Sequence, residues 1–398
     1  MPVPFFNKHH KTPWVSHDDI YTDPFDAEYC TKIAPQIERL VSKSYQSVVL
    51  PEESKNRILD LGTSSIMYAS LHKSHFDYIT ICGKIFLEGL PCPRTIAGSN
   101  LLVGLIGWLI KHLTGINMIK WGAIPVKRQL SIPRDLPAIC NRIEALLKSD
   151  KPILIFPEIE MTTNGNGNTI RTGRAYSGKI RKFAPALFSP AINASKEGKK
   201  VFIVPISVAY DFVAEDRYFC NLTKAVTMKK SKNALVSILG KFYYLFLEFH
   251  FFYRMYSLGK GNIYIDTGEP ILVKANASKN ELAQWAQEGA SKCYRITMPA
   301  LVSYAIGIGV NTKNELKKLV ERYATELREA KANFHTTLRL EENIELALKD
   351  LELRKIISNG KSISVKRPEI ITYYANTIAH HFECGVTLIF PQKNGHLG

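Results

Sequence analysis

The sequence predicts an α/β fold: a mixed central β-sheet flanked by helices, with helical additions at the N- and C-terminal ends. Short apolar runs of strand character at 65–71, 151–156 and 201–210 alternate with segments whose apolar residues recur at helical spacing. The chain has 398 residues, 45% hydrophobic and 22% charged, the mix of a globular protein large enough to bury a sizeable core. From residue 282 onward the pattern is helical. Together these features divide the chain into a helical N-terminal region at 1–60, an α/β domain at 61–275 and a helical C-terminal region at 276–398.

In chain order, 34–48 follows a Pro-rich start and places Ile37, Leu40, Val41 and Tyr45 at helical spacing. The strand at 65–71 delivers His72, Lys73, Ser74, His75, Phe76 and Asp77 into a turn, and the helix at 78–89 stops at Gly89-Leu90-Pro91. The apolar run 101–110 is shorter than the roughly 20 residues a bilayer span needs, so it suits a core helix or a membrane-dipping element. Segment 121–128 reads as a short strand ending in Lys127 and Arg128. A helix at 138–148 leads to a buried strand that closes on Pro157-Glu158, and a polar loop follows at 160–170. Pro205 inside the strand 201–210 calls for a bulge or a sheet edge, because proline cannot donate to a ladder. Segment 242–256 holds nine aromatics in fifteen residues, which suits a buried helix or one at a membrane interface. Charged amphipathic helices at 315–334 and 341–357 complete the pattern.

The formal net charge of +16 favours anionic partners. Basic clusters recur at 179–182, 196–200 and 229–232, each of which alone reads as a solvated loop. No helix-turn-helix, aromatic RNA-binding signature or zinc finger accompanies them, which points away from nucleic acid and towards an anionic surface. Seven cysteines are scattered without Cys-x2-Cys spacing and no secretory signal is visible, so reduced thiols in a cytosolic compartment are expected.

Asp77 lies five residues after His72. In one regular helix, at about 100° per residue, the two would sit roughly 140° apart. They meet only if His72 stays on the turn and Asp77 opens the next helix. There the carboxylate would hold the imidazole in one tautomer and leave its other nitrogen free as a general base. His72, His75 and Asp77 also offer three potential metal ligands. No fourth ligand or glutamate at zinc-like spacing accompanies them, so no metal is expected.

The segment His-Lys-Ser-His-x-Asp-Tyr resembles the first motif of the glycerolipid acyltransferases, most closely the glycerol-3-phosphate acyltransferases. Further blocks follow in the family's order: Ala97-Gly98-Ser99-Asn100-Leu101, Gly122 with Lys127-Arg128, Phe156-Pro157-Glu158, Arg171-Thr172-Gly173-Arg174, the strand 201–210, and Gly268-Glu269-Pro270. Tyr373-Tyr374-Ala375-Asn376 and His380-His381-Phe382 resemble the same branch. The pattern departs at Ile159, where the family has glycine, and in the insertion that precedes Arg171.

The resemblance implies a glycerol-3-phosphate 1-O-acyltransferase, moving an acyl group from acyl-CoA or acyl carrier protein (acyl-ACP) to glycerol 3-phosphate to give lysophosphatidate in phospholipid biosynthesis. It implies His72 and Asp77 as the catalytic pair, and Lys127 or Arg128 with Arg171 and Arg174 as phosphate ligands. Glu158 would bind a glycerol hydroxyl or fix its loop. No cofactor is implied beyond the acyl donor as co-substrate. The lipid product and the positive charge place the protein peripherally on the cytoplasmic face of an anionic membrane. The family's long enzymes continue well past residue 382, which implies that this chain lacks their C-terminal part. The rival readings are a lysophosphatidate acyltransferase, an inactive relative and a basic membrane-binding protein without activity.

Overall fold

The computed structural model describes residues 25–74, 76–98, 115–126, 135–163, 169–172, 177–221, 235–240, 242–243, 246, 261–335, 339–360 and 362–382; at 97–98, 125–126, 135, 160–163 and 169–172 it describes the backbone. His75, the apolar run 101–110, Lys127, Arg128, Arg174 and most of the aromatic run 242–256 lie outside the described residues.

The strands are β1 (Ser47–Val49), β2 (Ser65–Ser70), β3 (Arg94–Gly98), β4 (Ala123–Val126), β5 (Ile153–Ile155), β6 (Glu160–Thr163), β7 (Thr169–Thr172), β8 (Val201–Tyr210), β9 (Asn262–Thr267) and β10 (Ile271–Leu272). Among the described residues, eight of them form one sheet in the order β1-β9-β8-β2-β5-β3-β4, with β10 beside β8. The run β8-β2-β5-β3-β4 is parallel, and β9 enters antiparallel to β8. Every residue of β2 is buried, as expected of a central parallel strand covered on both faces. The helix α1 (Ala27–Ser42) precedes β1, and α2 (Glu52–Leu59), α3 (Asp77–Leu87), α4 (Asp135–Lys148) and α5 (Ser189–Lys196) lie between strands along the chain.

The helical pattern expected to run to residue 48 ends at Ser42. Tyr45 is buried all the same, and 47–49 becomes β1, paired in parallel with β9 at the sheet edge. The sheet therefore draws a strand from before residue 60. Pro205 sits inside the central strand β8, opposite Ala69 of β2. The irregularity it calls for falls on the neighbouring strand, which is interrupted between β9 and β10. There Gly268 donates its N–H to the Pro205 carbonyl at 2.9 Å. The polar loop expected at 160–170 has strand arms: β6 and β7 pair antiparallel, Glu160 opposite Thr172.

The C-terminal part contains α6 (Lys279–Lys292), α7 (Met298–Gly307), α8 (Lys313–Glu329), α9 (Leu340–Leu353) and α10 (Pro368–Ile378). The helix expected to reach 357 ends at Leu353, and the chain turns into a hairpin of β11 (Ile357–Asn359) and β12 (Ile363–Val365). All residues of α7 except the partly buried Met298, and most of α10, are buried, and they share one continuous hydrophobic core with the sheet. Among the described residues no helix is long and apolar enough to cross a membrane.

Candidate active site

The parallel strands β2 and β5 end at the same edge of the sheet, and the chain leaving each carries the site. Beyond Ser70, residues 71–74 fold back over the first residue of α3, Asp77, whose side chain is fully buried. Asp77 Oδ2 accepts the backbone N–H groups of Lys73 at 2.6 Å and Ser74 at 2.9 Å, so the carboxylate shapes its own loop. The N-terminus of α3 adds a favourable dipole. Ser74 Oγ accepts the Phe76 N–H at 3.0 Å and donates to the buried Glu215 carboxylate at 2.8 Å, closing the turn.

This loop brings His72 Nδ1 to 2.8 Å from Asp77 Oδ2. A carboxylate only accepts, so neutral His72 carries its proton on Nδ1 and leaves a lone pair on Nε2. The imidazole lies against Phe156 with ring centres 4.5 Å apart. Its backbone is anchored as well: the His72 N–H donates to Glu158 Oε2 at 2.7 Å.

Glu158 is 2% exposed and is engaged entirely within the protein. Its Oε1 accepts the Arg181 N–H at 3.1 Å, and the Lys73 ammonium stands 3.9 Å from the same oxygen. Of the two roles the resemblance implies for Glu158, its contacts are those of a loop brace. Lys73 is buried too, its Nζ donating to the carbonyls of Gly178 at 3.2 Å and Lys179 at 3.3 Å. Loss of hydration lowers its pKa, partly offset by the charges of Glu158 and Asp77. The basic cluster 179–182, expected to be a solvated loop, thus uses its backbone to hold the site.

Gly178 has φ of +80°, and a Cβ there would collide with the Tyr373 carbonyl. Only glycine lets this segment pass so close to α10. From α10, Tyr373 donates its hydroxyl to the Lys73 carbonyl at 3.3 Å, and Asn376 donates to the Ser177 carbonyl at 2.8 Å. Helix α10 therefore braces both the residue after His72 and the segment that holds Lys73.

Among the described residues, positive φ outside glycine is confined to Asp150, Lys331 and Lys355. Ile159 therefore leaves the strand without the left-handed turn that glycine would permit. Its N–H donates to the Lys182 carbonyl at 3.0 Å, and the chain runs on into β6. The hairpin then returns the backbone of Arg171 opposite Met161, three positions along from Glu158. The side chain of Arg171, like Lys127, Arg128 and Arg174, is outside the described residues.

Of the residues singled out in the sequence, His72, Asp77 and Glu158 are joined by direct hydrogen bonds. Sequence reasoning assigned no role to Lys73, Tyr210, Tyr373 or Asn376, which come from elements far apart in the chain. Among the described residues no group of three or more His, Cys, Asp or Glu is arranged to hold a metal ion. Burial pushes the Cys30 and Cys82 thiols up to about 12, which makes poor nucleophiles of them.

Residues 42–209, which hold His72, Asp77 and Glu158, match the family model described as Acyltransferase. Over its length the chain is similar to glycerol-3-phosphate acyltransferases. It is 22% identical to that of Aeromonas hydrophila, across 86% of this chain and 42% of the relative. It is 24% identical to that of Pseudoalteromonas atlantica, across 91% and 45%. With the enzyme of Actinobacillus succinogenes it shares 24% identity across 63% and 27%. The chain spans less than half the length of these curated relatives.

Proposed function

We propose that the protein transfers an acyl group from a thioester, acyl-CoA or acyl-ACP, to the 1-hydroxyl of glycerol 3-phosphate. The observation that carries this reading is the His72–Asp77 hydrogen bond, which orients an imidazole with free Nε2 inside the stretch that matches the Acyltransferase model. Nε2 removes the hydroxyl proton as the oxygen attacks the thioester carbonyl carbon. The imidazolium that forms is stabilised by Asp77. The tetrahedral adduct then collapses, the C–S bond breaks, and the departing sulfur takes the proton from His72 to leave as a thiol. A thioester is already activated, so no acyl-enzyme is needed.

Lys127, Arg128, Arg171 and Arg174 remain the candidates for holding the phosphate, the type of group that guanidinium forks grip bidentately. The purified chain, incubated with labelled glycerol 3-phosphate and each donor in turn, should give lysophosphatidate, and a folded His72→Ala variant should not. Equal product from both would refute the reading.

The partner surface in this proposal is an anionic membrane. Leu235, Ile238, Leu239, Phe242 and Phe246 recur at helical spacing and are 48–72% exposed. Lys229, Lys230, Lys232 and Lys241 lie beside them in the sequence. An apolar stripe bordered by lysines suits the interface of an anionic bilayer. Leu239→Glu with Phe242→Glu should reduce sedimentation with phosphatidylglycerol vesicles; unchanged sedimentation would place the contact elsewhere.

A further inference from the structure

Tyr210 is the last residue of β8, only 4% exposed, and its hydroxyl lies 2.5 Å from Asp77 Oδ1. The other carboxylate oxygen, Oδ2, already serves three N–H donors: His72 Nδ1, Lys73 N and Ser74 N. We propose that Tyr210 is a positioning residue for the catalytic pair: its phenol donates to Asp77 Oδ1, fixes the plane of the carboxylate and disperses the charge presented to His72. This inference rests on the reading of His72 as general base.

The position of the hydroxyl is set by the sheet. Strands β2 and β8 are parallel, with Ser70 opposite Ile206, so both chains run off the same edge. From there β2 leads into His72, and β8 ends in Tyr210. The Tyr210 ring is held by Tyr45, centres 5.7 Å apart, and Tyr45 packs on Phe76 of the catalytic loop at 6.2 Å. The anchor on Oδ1 therefore comes from the scaffold, whereas every donor on Oδ2 comes from the loop itself. Without the phenol, nothing outside the loop among these contacts would restrain rotation of the carboxylate.

The direction of the bond follows from chemistry. Burial, reinforced by the Asp77 charge, holds the Tyr210 pKa well above its usual value, so the phenol keeps its proton and donates. A donor on Oδ1 draws negative charge away from Oδ2 and makes Asp77 a weaker partner for the imidazolium. Removing it should make His72 hold its proton more tightly.

Among the described residues, the following charged and titratable groups beside the pair do not mimic this effect. Lys73, on the same loop, has its pKa lowered by burial from the usual lysine value. Tyr45, Tyr294 and Tyr373 are pushed up by burial, so they stay protonated on the acid side. Glu158 is hydrogen-bonded to the backbone of His72 and of Arg181, and Glu215 is hydrogen-bonded to Ser74 Oγ.

The test is Tyr210→Phe in the full chain, read by the NMR titration of the His72 Cε1–H and by the pH dependence of kcat/KM. The His72 resonance is assigned by its loss in His72→Ala. The expected result is a titration midpoint and an acid limb both moved up by roughly half a unit or more, with kcat lowered about tenfold and KM unchanged. Ring-fluorinated tyrosine at 210, a stronger donor of the same shape, should move the midpoint the opposite way and decides the matter should the Phe variant not fold. A midpoint that stays in place would overturn the inference even where the rate falls, because loss of packing alone lowers rate without moving it. The NMR readout needs no turnover. A shifted midpoint in a protein that transfers no acyl group supports the positioning role and refutes the proposed function instead.

Discussion

Replacing Glu158 by alanine would strip several buried groups of one shared acceptor. The His72 N–H and the Arg181 N–H, now 2.7 and 3.1 Å from its oxygens, would lose their carboxylate partner. Each costs about 1–3 kcal/mol if left unpaired. Lys73, whose side chain is 1% exposed, would lose the counter-charge 3.9 Å away. Breaking a buried pair costs about 3–5 kcal/mol, though Lys73 limits this by shedding its proton, which burial already favours. The interactions share one carboxylate and do not add fully, so the expected loss is about 4–7 kcal/mol, a large part of the roughly 5–15 kcal/mol that stabilises a typical domain. Glu158→Gln keeps the shape and one acceptor oxygen and should cost about 2–4 kcal/mol. Urea unfolding followed by circular dichroism should therefore rank wild type above Gln above Ala, with activity falling in the same order as His72 loses its anchor. Were Glu158 a ligand for a glycerol hydroxyl, the Gln variant would raise KM and unfold at the wild-type urea concentration. That outcome would refute the brace.

The remaining expectations are independent of that one. His72→Ala should lower kcat by about 10² to 10⁴ with the melting temperature little changed, since the imidazole contacts chiefly Asp77 and Phe156. Gly178→Ala should destabilise by at least about 1–3 kcal/mol, because φ is +80° and the new methyl would meet the Tyr373 carbonyl; a melting temperature equal to wild type would show that α10 does not approach the turn so closely. Burial lowers the His381 pKa from 6.5 to about 4. The folded chain then binds fewer protons than the unfolded one between these values, so the His381 contribution is complete above pH 6.5 and is lost as pH falls through 4, up to about 2–3 kcal/mol. His381→Gln should flatten the rise in urea midpoint across that window, and an unchanged slope would assign the acid sensitivity to other groups.

The sequence alone determined the turn that joins His72 to Asp77. A buried strand followed by His72 and, five residues on, Asp77 permits contact only across a strand-to-helix junction, and α3 does begin at Asp77. The α/β alternation was legible for the same reason: β2, β5 and β8 are central strands whose burial on both faces demands continuous apolar runs. What the tertiary structure decided is who surrounds that turn. Tyr210 reaches Asp77 from a strand 133 residues away, and Tyr373 reaches the Lys73 carbonyl across 300 residues. Such pairings leave no local period in the sequence, since they are set by strand order and by the packing of α10. The same holds for β1, three residues that look like the end of a helix until β9 offers them an edge to pair with. Lys73 and Gly178 make the point most sharply. Nothing local marks a lysine in a polar motif for burial or a glycine just ahead of a basic cluster for close approach; the carbonyls of Gly178 and Lys179 enclose the one, and the approach of α10 forbids a side chain on the other.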